Sequence, residues 1–300
     1  MDDALSRWLH LREPADTAAR SEALTRAIGE AMPIGDPVCI LDLATGTGAN
    51  IRYLIERLPR RQRWLAVDRS AALLAELREQ MVSWATARGY DAQSDTAQCV
   101  MRGAQLDCHL ETREIDLGAL DNHEIFARRH LVTASALLDL VSAQWLRQLA
   151  EHCRIEGASV LLALTYNGRS SCDPVEPEDD TVRDLLNAHQ KTDKGLGGPA
   201  AGPDASDCAA RALEEAGYRV RRDASDWTLA PAQADMQRML VDGWAQAAAE
   251  MAPNLVSTLA RWKKRRLAHV EAGHSRVTVG HDDLAAWATL DVLKGQKSTK

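Results

Sequence analysis

Apolar positions recur at helical spacing through residues 2–31, with Leu5, Trp8, Leu9, Leu24 and Ile28 as apolar points and Pro14 as an expected break. No strand is predicted before residue 37. Residues 38–43 then form a short apolar run, Val38-Cys39-Ile40-Leu41-Asp42-Leu43, of the kind buried on both faces of a sheet, and it ends in the turn Ala44-Thr45-Gly46-Thr47-Gly48. Ile51, Leu54, Ile55 and Leu58 follow at i, i+3, i+4 and i+7, one face of a helix that Pro59 closes. The alternation continues with a strand over 64–67 ending at Asp68 and a helix carrying Leu74, Leu77, Met81 and Trp84. Further strands are predicted over 110–115, 131–134 and 160–164, with a helix over 145–153. Strand and helix in strict turn predict an α/β fold, a doubly wound, mostly parallel sheet.

Regularity lapses after Tyr166. Residues 168–203 read as an irregular insert holding a short helix over 182–190 and the glycine-rich stretch Lys194-Gly195-Leu196-Gly197-Gly198-Pro199. A helix over 205–216, a strand over 218–222, a helical insertion over about 231–270 and a strand over 276–279 complete the pattern, with a low-complexity tail over 295–300. The expected organisation is a helical segment over 1–36 that closes over a site, and a main domain over 37–300 whose two insertions form a cap.

The net charge of −7 argues against broad attraction to nucleic acid. Lys263, Lys264, Arg265 and Arg266 form the one basic run, read as a solvated helix face rather than an RNA contact. No apolar run approaches the roughly 18 residues that a membrane span needs, and Met1-Asp2-Asp3 lacks a signal pattern, so a cytoplasmic protein without a membrane partner is expected. The six cysteines include no C-x-x-C pair and read as free thiols, and no metal site is expected. Eight Trp against one Phe point to aromatic surfaces in the cap.

In a parallel sheet the ligand sits beyond the strand carboxyl ends where strand order reverses, which places Asp42, Gly46 and Gly48 at the site. Asp68, ending the second strand, is placed to accept hydrogen bonds from ribose hydroxyls. These features suit a nicotinamide dinucleotide or S-adenosylmethionine. Two details separate them: Ile51 stands where the dinucleotide fingerprint wants glycine or alanine, and Asp42 would repel a pyrophosphate.

The segment Asp42-Leu43-Ala44-Thr45-Gly46-Thr47-Gly48 resembles the first motif of class I S-adenosylmethionine-dependent methyltransferases, acidic-x-Gly-x-Gly-x-Gly, with Ala44 in place of the first glycine. The resemblance implies a Rossmann-like methyltransferase fold and S-adenosylmethionine as cofactor. It implies that Asp42, Ala44, Gly46 and Gly48 face the methionine part, Asp68 the ribose and Arg69 the adenine. Asp116 and Leu117 match the later motif that binds the adenine amino group and ring, and Ser135 falls where the family lines the reacting centre. Arg12 or Arg20, in the segment before the first strand, is expected to pair with the cofactor carboxylate, Arg20 being the one assigned.

A small-molecule methyl acceptor is expected. The stretch Asn187 to Lys194 is dense in polar groups; His189 is the candidate base, with Asp193 beside it if the helix runs that far, and Asn187, Gln190 and Lys194 are candidate acceptor contacts. Tyr166 and Asn167 join them from the sheet rim. Asp139 ranks low, because Leu137, Leu138 and Leu140 around it suggest a packed helix start. Asp179-Asp180 reads as a solvated acidic loop, and the stripe Met236, Leu240, Trp244 as core or pocket wall. Alternatives are an RNA or protein methyltransferase and a non-catalytic S-adenosylmethionine-binding regulatory module.

Overall fold

The computed structural model describes residues 2–288; the tail over 295–300 noted above lies outside the described residues. The chain opens with α1 (Asp2–Ala19) and α2 (Glu22–Ala31). Helix α1 runs through Pro14 rather than breaking there. Pro14 and His10, whose carbonyl loses its intrahelical donor, both lie on the exposed face, where water can serve that carbonyl. The break comes instead at Arg20-Ser21, where the Ser21 hydroxyl caps α2 by accepting the Leu24 amide at 3.1 Å.

Strand β1 (Val38–Leu43) leads into α3 (Ala49–Leu54), β2 (Arg61–Asp68) and α4 (Ala71–Ala87). A hairpin of β3 (Asp91–Ser94) and β4 (Gln98–Arg102) precedes β5 (Asp107–Glu114), and then follow β6 (Leu131–Ser135), α5 (Ala143–Glu156) and β7 (Ser159–Asp173). Helices α6 (Asp179–Gln190) and α7 (Ala205–Glu215), strands β8 (Tyr218–Ala224) and β9 (Trp227–Leu229), helices α8 (Ala234–Met251) and α9 (Val256–Glu271), and strand β10 (Arg276–Ala288) complete the described chain.

The sheet order is β3-β4-β5-β2-β1-β6-β7-β10-β8, with β9 also paired to β10. The five central strands β5, β2, β1, β6 and β7 are mutually parallel. The β3–β4 hairpin extends one edge antiparallel, and β10 enters antiparallel between β7 and β8. Strand order reverses between β1 and β6, the crevice predicted to hold a ligand. The two sheet faces carry separate apolar layers. One packs α5 and α7 residues such as Trp145, Leu149 and Ala209; the other packs α2, α3 and α4 residues such as Ile28, Ile51 and Leu77. A third cluster joins α6, α8 and α9 to the extended halves of β7 and β10, and Trp8 and Leu11 of α1 pack against it.

Candidate active site

Asp42 is fully buried at the end of β1. Its carboxylate accepts hydrogen bonds from the Thr45 hydroxyl and from Asn50 Nδ2, both at 2.6 Å. Asn50 Nδ2 also reaches the Thr133 hydroxyl on β6 at 3.1 Å, and Asn50 Oδ1 accepts from Arg20 Nη1 at 2.8 Å. Burial pushes the Asp42 carboxyl up to about 6, against the pull of the Thr45 and Asn50 bonds and of the Arg20 charge. Arg20 is itself buried, 3.6 Å from Asp283, with its guanidinium 4.3 Å over the Tyr53 ring.

The turn after β1 bends through three left-handed residues, Ala44 (φ 50°), Gly46 (φ 55°) and Gly48 (φ 83°). Gly46 has a steric reason as well: a Cβ there would stand 3.1 Å from the Leu9 side chain of α1, which lies across the turn. Asp68 holds the same turn from β2, accepting the Gly46 amide at 2.9 Å and the Ser70 amide at 3.0 Å. Two other parallel strands bring left-handed non-glycine residues to the same rim, Ala136 (φ 53°) just after β6 and Leu164 (φ 54°) within β7. Such conformations cost about 1–2 kcal/mol each and cluster at functional sites.

Of the four left-handed non-glycine residues among the described residues, Ala44, Ala136 and Leu164 line the two cavities described next, and Arg128 lines neither. The first cavity, about 100 Å³, is bounded by the turn (Asp42, Ala44, Thr45, Gly46), by Ser135 and Ala136, and by Leu9, Arg12 and Asp16 of α1. The second, about 290 Å³, lies beside it and shares Arg12 and Ala136. Its walls are mostly apolar and aromatic, including Trp8, Leu164, Tyr166, Trp227 and Trp244. Arg12 forms the partition: its Nε and Nη2 donate to Asp16 at 2.8 and 3.2 Å, and its guanidinium lies 4.9 Å from the Trp227 ring centre. Asp16 also accepts from Trp227 Nε1 at 3.0 Å.

Besides Arg12 and Tyr166, the polar side chains of Asp139, Gln190 and His281 interrupt the second cavity's walls. Asp139 is 7% exposed; its carboxylate takes a long 3.4 Å contact from Gln190 Nε2 and is also held by the backbone amides of its own residue and of Tyr166. Burial pushes its carboxyl up to about 6, opposed by its own backbone amide and by Arg12 among others. His281 is 5% exposed. Burial, reinforced by the charges of Arg12 and Arg169, pushes it down to about 3, so it is neutral at physiological pH. The Val279 backbone opposes that shift, yet Nδ1 has no partner of hydrogen-bond geometry among the described residues.

Of the residues singled out from sequence, Asp42, Ala44, Gly46 and Ser135 line the first cavity. Gly48 belongs to the same turn and Asp68 binds its backbone, while Arg20 stands one residue behind, through Asn50. Arg12, the other arginine considered, is the one that lines the cavity. Arg69 and Asp116 are exposed. Asp116 accepts the Gly118 amide at 2.8 Å, and the buried Leu117 gives its carbonyl to Trp145 Nε1 at 2.8 Å. Tyr166 and Gln190 line the second cavity, and Asn187 fixes Tyr166 by accepting its hydroxyl at 2.8 Å. Asn167 turns to Asp282 at 3.1 Å and lines neither cavity.

The proposed His189–Asp193 pairing needs correction. Helix α6 ends at Gln190, so Asp193 does not share its face and instead accepts the Gly195 amide at 2.7 Å. His189 pairs with Glu250 of α8 at 3.1 Å, and Lys194 Nζ donates to its backbone carbonyl at 3.0 Å; none of the three lines either cavity. Asp139 moves the other way. Residues 138–140 form a single 3-10 turn in which Leu138 enters the core while Asp139 faces the cavity. His281, deep in β10, was not legible as a site residue, because only the pairing of β10 with β7 brings it beside Tyr166.

Apart from the exposed Lys264, the acidic and basic runs are occupied within the fold. Asp179 accepts Trp262 Nε1 at 2.7 Å and Asp180 pairs with Arg183 at 2.7 Å. Lys263 pairs with Asp242, Arg265 with Glu176 and Glu178, and Arg266 is buried against Asp179 and the Pro174 carbonyl. Among the described residues, no group of three His, Cys, Asp or Glu side chains could hold a metal ion, and no helix is long and apolar enough to cross a membrane.

No family model and no curated protein matches the chain. Solved structures do. The cyclopropane synthase MmaA2 of Mycobacterium tuberculosis matches at 10% identity and a TM-score of 0.45, over 89% of this chain and 87% of that one. An O-methyltransferase family protein of Burkholderia thailandensis matches at 17% identity and 0.46, over 74% of this chain and 55% of that one. Geranyl diphosphate C-methyltransferase of Streptomyces coelicolor A3(2) matches at 12% and 0.41, over 89% and 80%. The fold itself is a mixed α/β sheet with a parallel core and N-terminal helices.

Proposed function

We propose that this chain is an S-adenosylmethionine-dependent methyltransferase of the cytoplasm that acts on a small-molecule acceptor. The observation that carries the reading is the adjacency of two cavities at the strand-order reversal, with Arg12 and Ala136 common to both.

The first cavity's donor set fits the amino-acid part of the cofactor. Two carboxylates, Asp16 and Asp42, face one guanidinium, a balance that suits a ligand bearing a sulfonium and an ammonium and disfavours a pyrophosphate. The Thr47 hydroxyl is buried at its edge without a hydrogen-bond partner among the described residues. About 100 Å³ is less than the roughly 300 Å³ of a typical ligand pocket, so this cavity takes only that part. Asp68 and Arg69 at the end of β2, and Asp116 and Leu117 after β5 on the same edge of the sheet, are the residues proposed for the adenosine.

Bound there, S-adenosylmethionine supplies an electrophilic methyl group. The chain's own contribution is positional. Asp42, Thr45 and Asn50 lock the turn, Arg12 fixes the partition, and the aromatic walls of the second cavity exclude water from the acceptor. Helices α1, α6 and α8 form the proposed cap, through Trp8, Leu186, Gln190, Leu240 and Trp244. The unpaired state of all six cysteines suits a reducing compartment.

Incubation of a cell extract with the enzyme and methyl-labelled S-adenosylmethionine is expected to label a species of low mass, detected by mass spectrometry. Label appearing only in RNA or protein would contradict the small-molecule reading.

A further inference from the structure

The second cavity holds two buried polar groups that can take a further partner, Asp139 and His281. A buried carboxylate is costly unless donors surround it; Asp139 has the amides of its own residue and of Tyr166 and a long 3.4 Å contact from Gln190 Nε2, but no ion pair within 4 Å among the described residues, so it can accept a further donor. His281, neutral and more than nine-tenths buried, leaves Nδ1 without a partner on the same cavity. Around them the lining is indole and aliphatic: Trp8, Trp227, Trp244, Leu164, Leu240 and Val279. The volume, about 290 Å³, fits a compact ring system rather than a polymer segment or a long chain.

A carboxylate inside aromatic walls could take either of two ligand classes, an aliphatic ammonium or a flat ring with an N–H. The lining favours the second. Arg12 contributes a fixed positive charge to this cavity, and its guanidinium already occupies the Trp227 ring at 4.9 Å, where an aliphatic cation would otherwise sit. A neutral planar ring meets no such repulsion. Its N–H edge satisfies Asp139, and its faces gain from the indoles.

We propose that the second cavity is a binding site for a planar nitrogen heteroaromatic acceptor, whose N–H donates to the Asp139 carboxylate while a second polar atom on the ring meets His281 Nδ1. The inference rests on the proposed methyltransferase reading for the cavity's role as acceptor site, but the binding itself does not require the cofactor. Asp139 serves as the specificity-determining group and Gln190 positions it.

Ligand-detected NMR titration of the full chain without cofactor tests this with three probes: benzimidazole, 1-methylbenzimidazole and tetramethylammonium. The expected result is that benzimidazole binds roughly tenfold more tightly than its methylated counterpart, the worth of one hydrogen bond to a buried carboxylate. In Asp139→Asn that preference should shrink to within about twofold while 1-methylbenzimidazole binds as before, and Trp244→Ala should weaken both rings. Equal binding of the two rings by the wild-type protein, tighter binding of tetramethylammonium, or no ring binding at all would each overturn the proposal. Titration of the same sample with S-adenosylmethionine separates the two readings. Ring binding without cofactor binding would refute the methyltransferase reading alone, and cofactor binding without ring binding would refute this one alone.

Discussion

The Asp283 carboxylate accepts the backbone amide of Leu164 at 2.8 Å, which ties the antiparallel strand β10 to the left-handed residue at the wall of the second cavity. The same carboxylate accepts the Ser21 amide at 2.9 Å and lies 3.6 Å from Arg20, so the junction between α1 and α2 is anchored at the same point. Asp283→Ala would leave the Arg20 guanidinium buried without its counter-charge, a loss of about 3–5 kcal/mol. At roughly 2–4 °C per kcal/mol for a domain of this size, a fall in melting temperature on the order of 10 °C is expected in a thermal scan. A change of only a degree or two would show that Asp283 is not an anchor.

Ala44 should respond in the opposite direction. Its φ of 50° costs about 1–2 kcal/mol relative to glycine, and glycine returns about 0.4–1 kcal/mol of that through the entropy of the unfolded chain. Ala44→Gly is therefore expected to stabilise by up to about 1 kcal/mol, measured by denaturant unfolding. A destabilised variant would mean that the methyl group makes contacts that outweigh the strain.

How legible these features were in the sequence follows from what each element buries. Strand β1 was predicted with the bounds observed, because a strand covered on both faces is an apolar run. The β3–β4 hairpin, whose outer strand Asp91–Ser94 is mostly exposed and polar, carries no such signal and was missed. Strand β7 was predicted only over its buried half, 160–164; the rest, to Asp173, alternates toward solvent and is held by its ladder with β10. The turn after β1 was readable because its residues are consecutive. The second cavity was not, since Trp8, Asp139, Trp227 and His281 come from four separate stretches that only the tertiary fold assembles.

A pH effect follows from Asp139. Burial, the largest influence, raises its carboxyl from 3.8 to about 6 in the folded protein. A group that binds its proton more tightly when folded favours folding most below about pH 3.8, and that contribution is lost as pH rises through about 6. The stability of the wild-type protein relative to Asp139→Asn should therefore fall between about pH 4 and pH 6.5, by up to about 3 kcal/mol. Paired denaturant titrations across that range check it, and a difference that stays flat or rises with pH would contradict it.

His189 offers a control. Its imidazole pairs with Glu250 at the surface and reaches neither cavity. His189→Ala is expected to keep turnover of the labelled acceptor within about twofold and stability within about 0.5 kcal/mol. A loss of turnover with stability intact would restore it as a base.

In the proposed function, the turn after β1 and the end of β6 jointly hold the cofactor against the second cavity. A crystal structure of the protein with S-adenosylhomocysteine is expected to show the amino-acid end within hydrogen-bond reach of residues 42–47, the ribose on Asp68, and the sulfur facing Ala136. Density for the ligand elsewhere, or a ribose remote from Asp68, would contradict it.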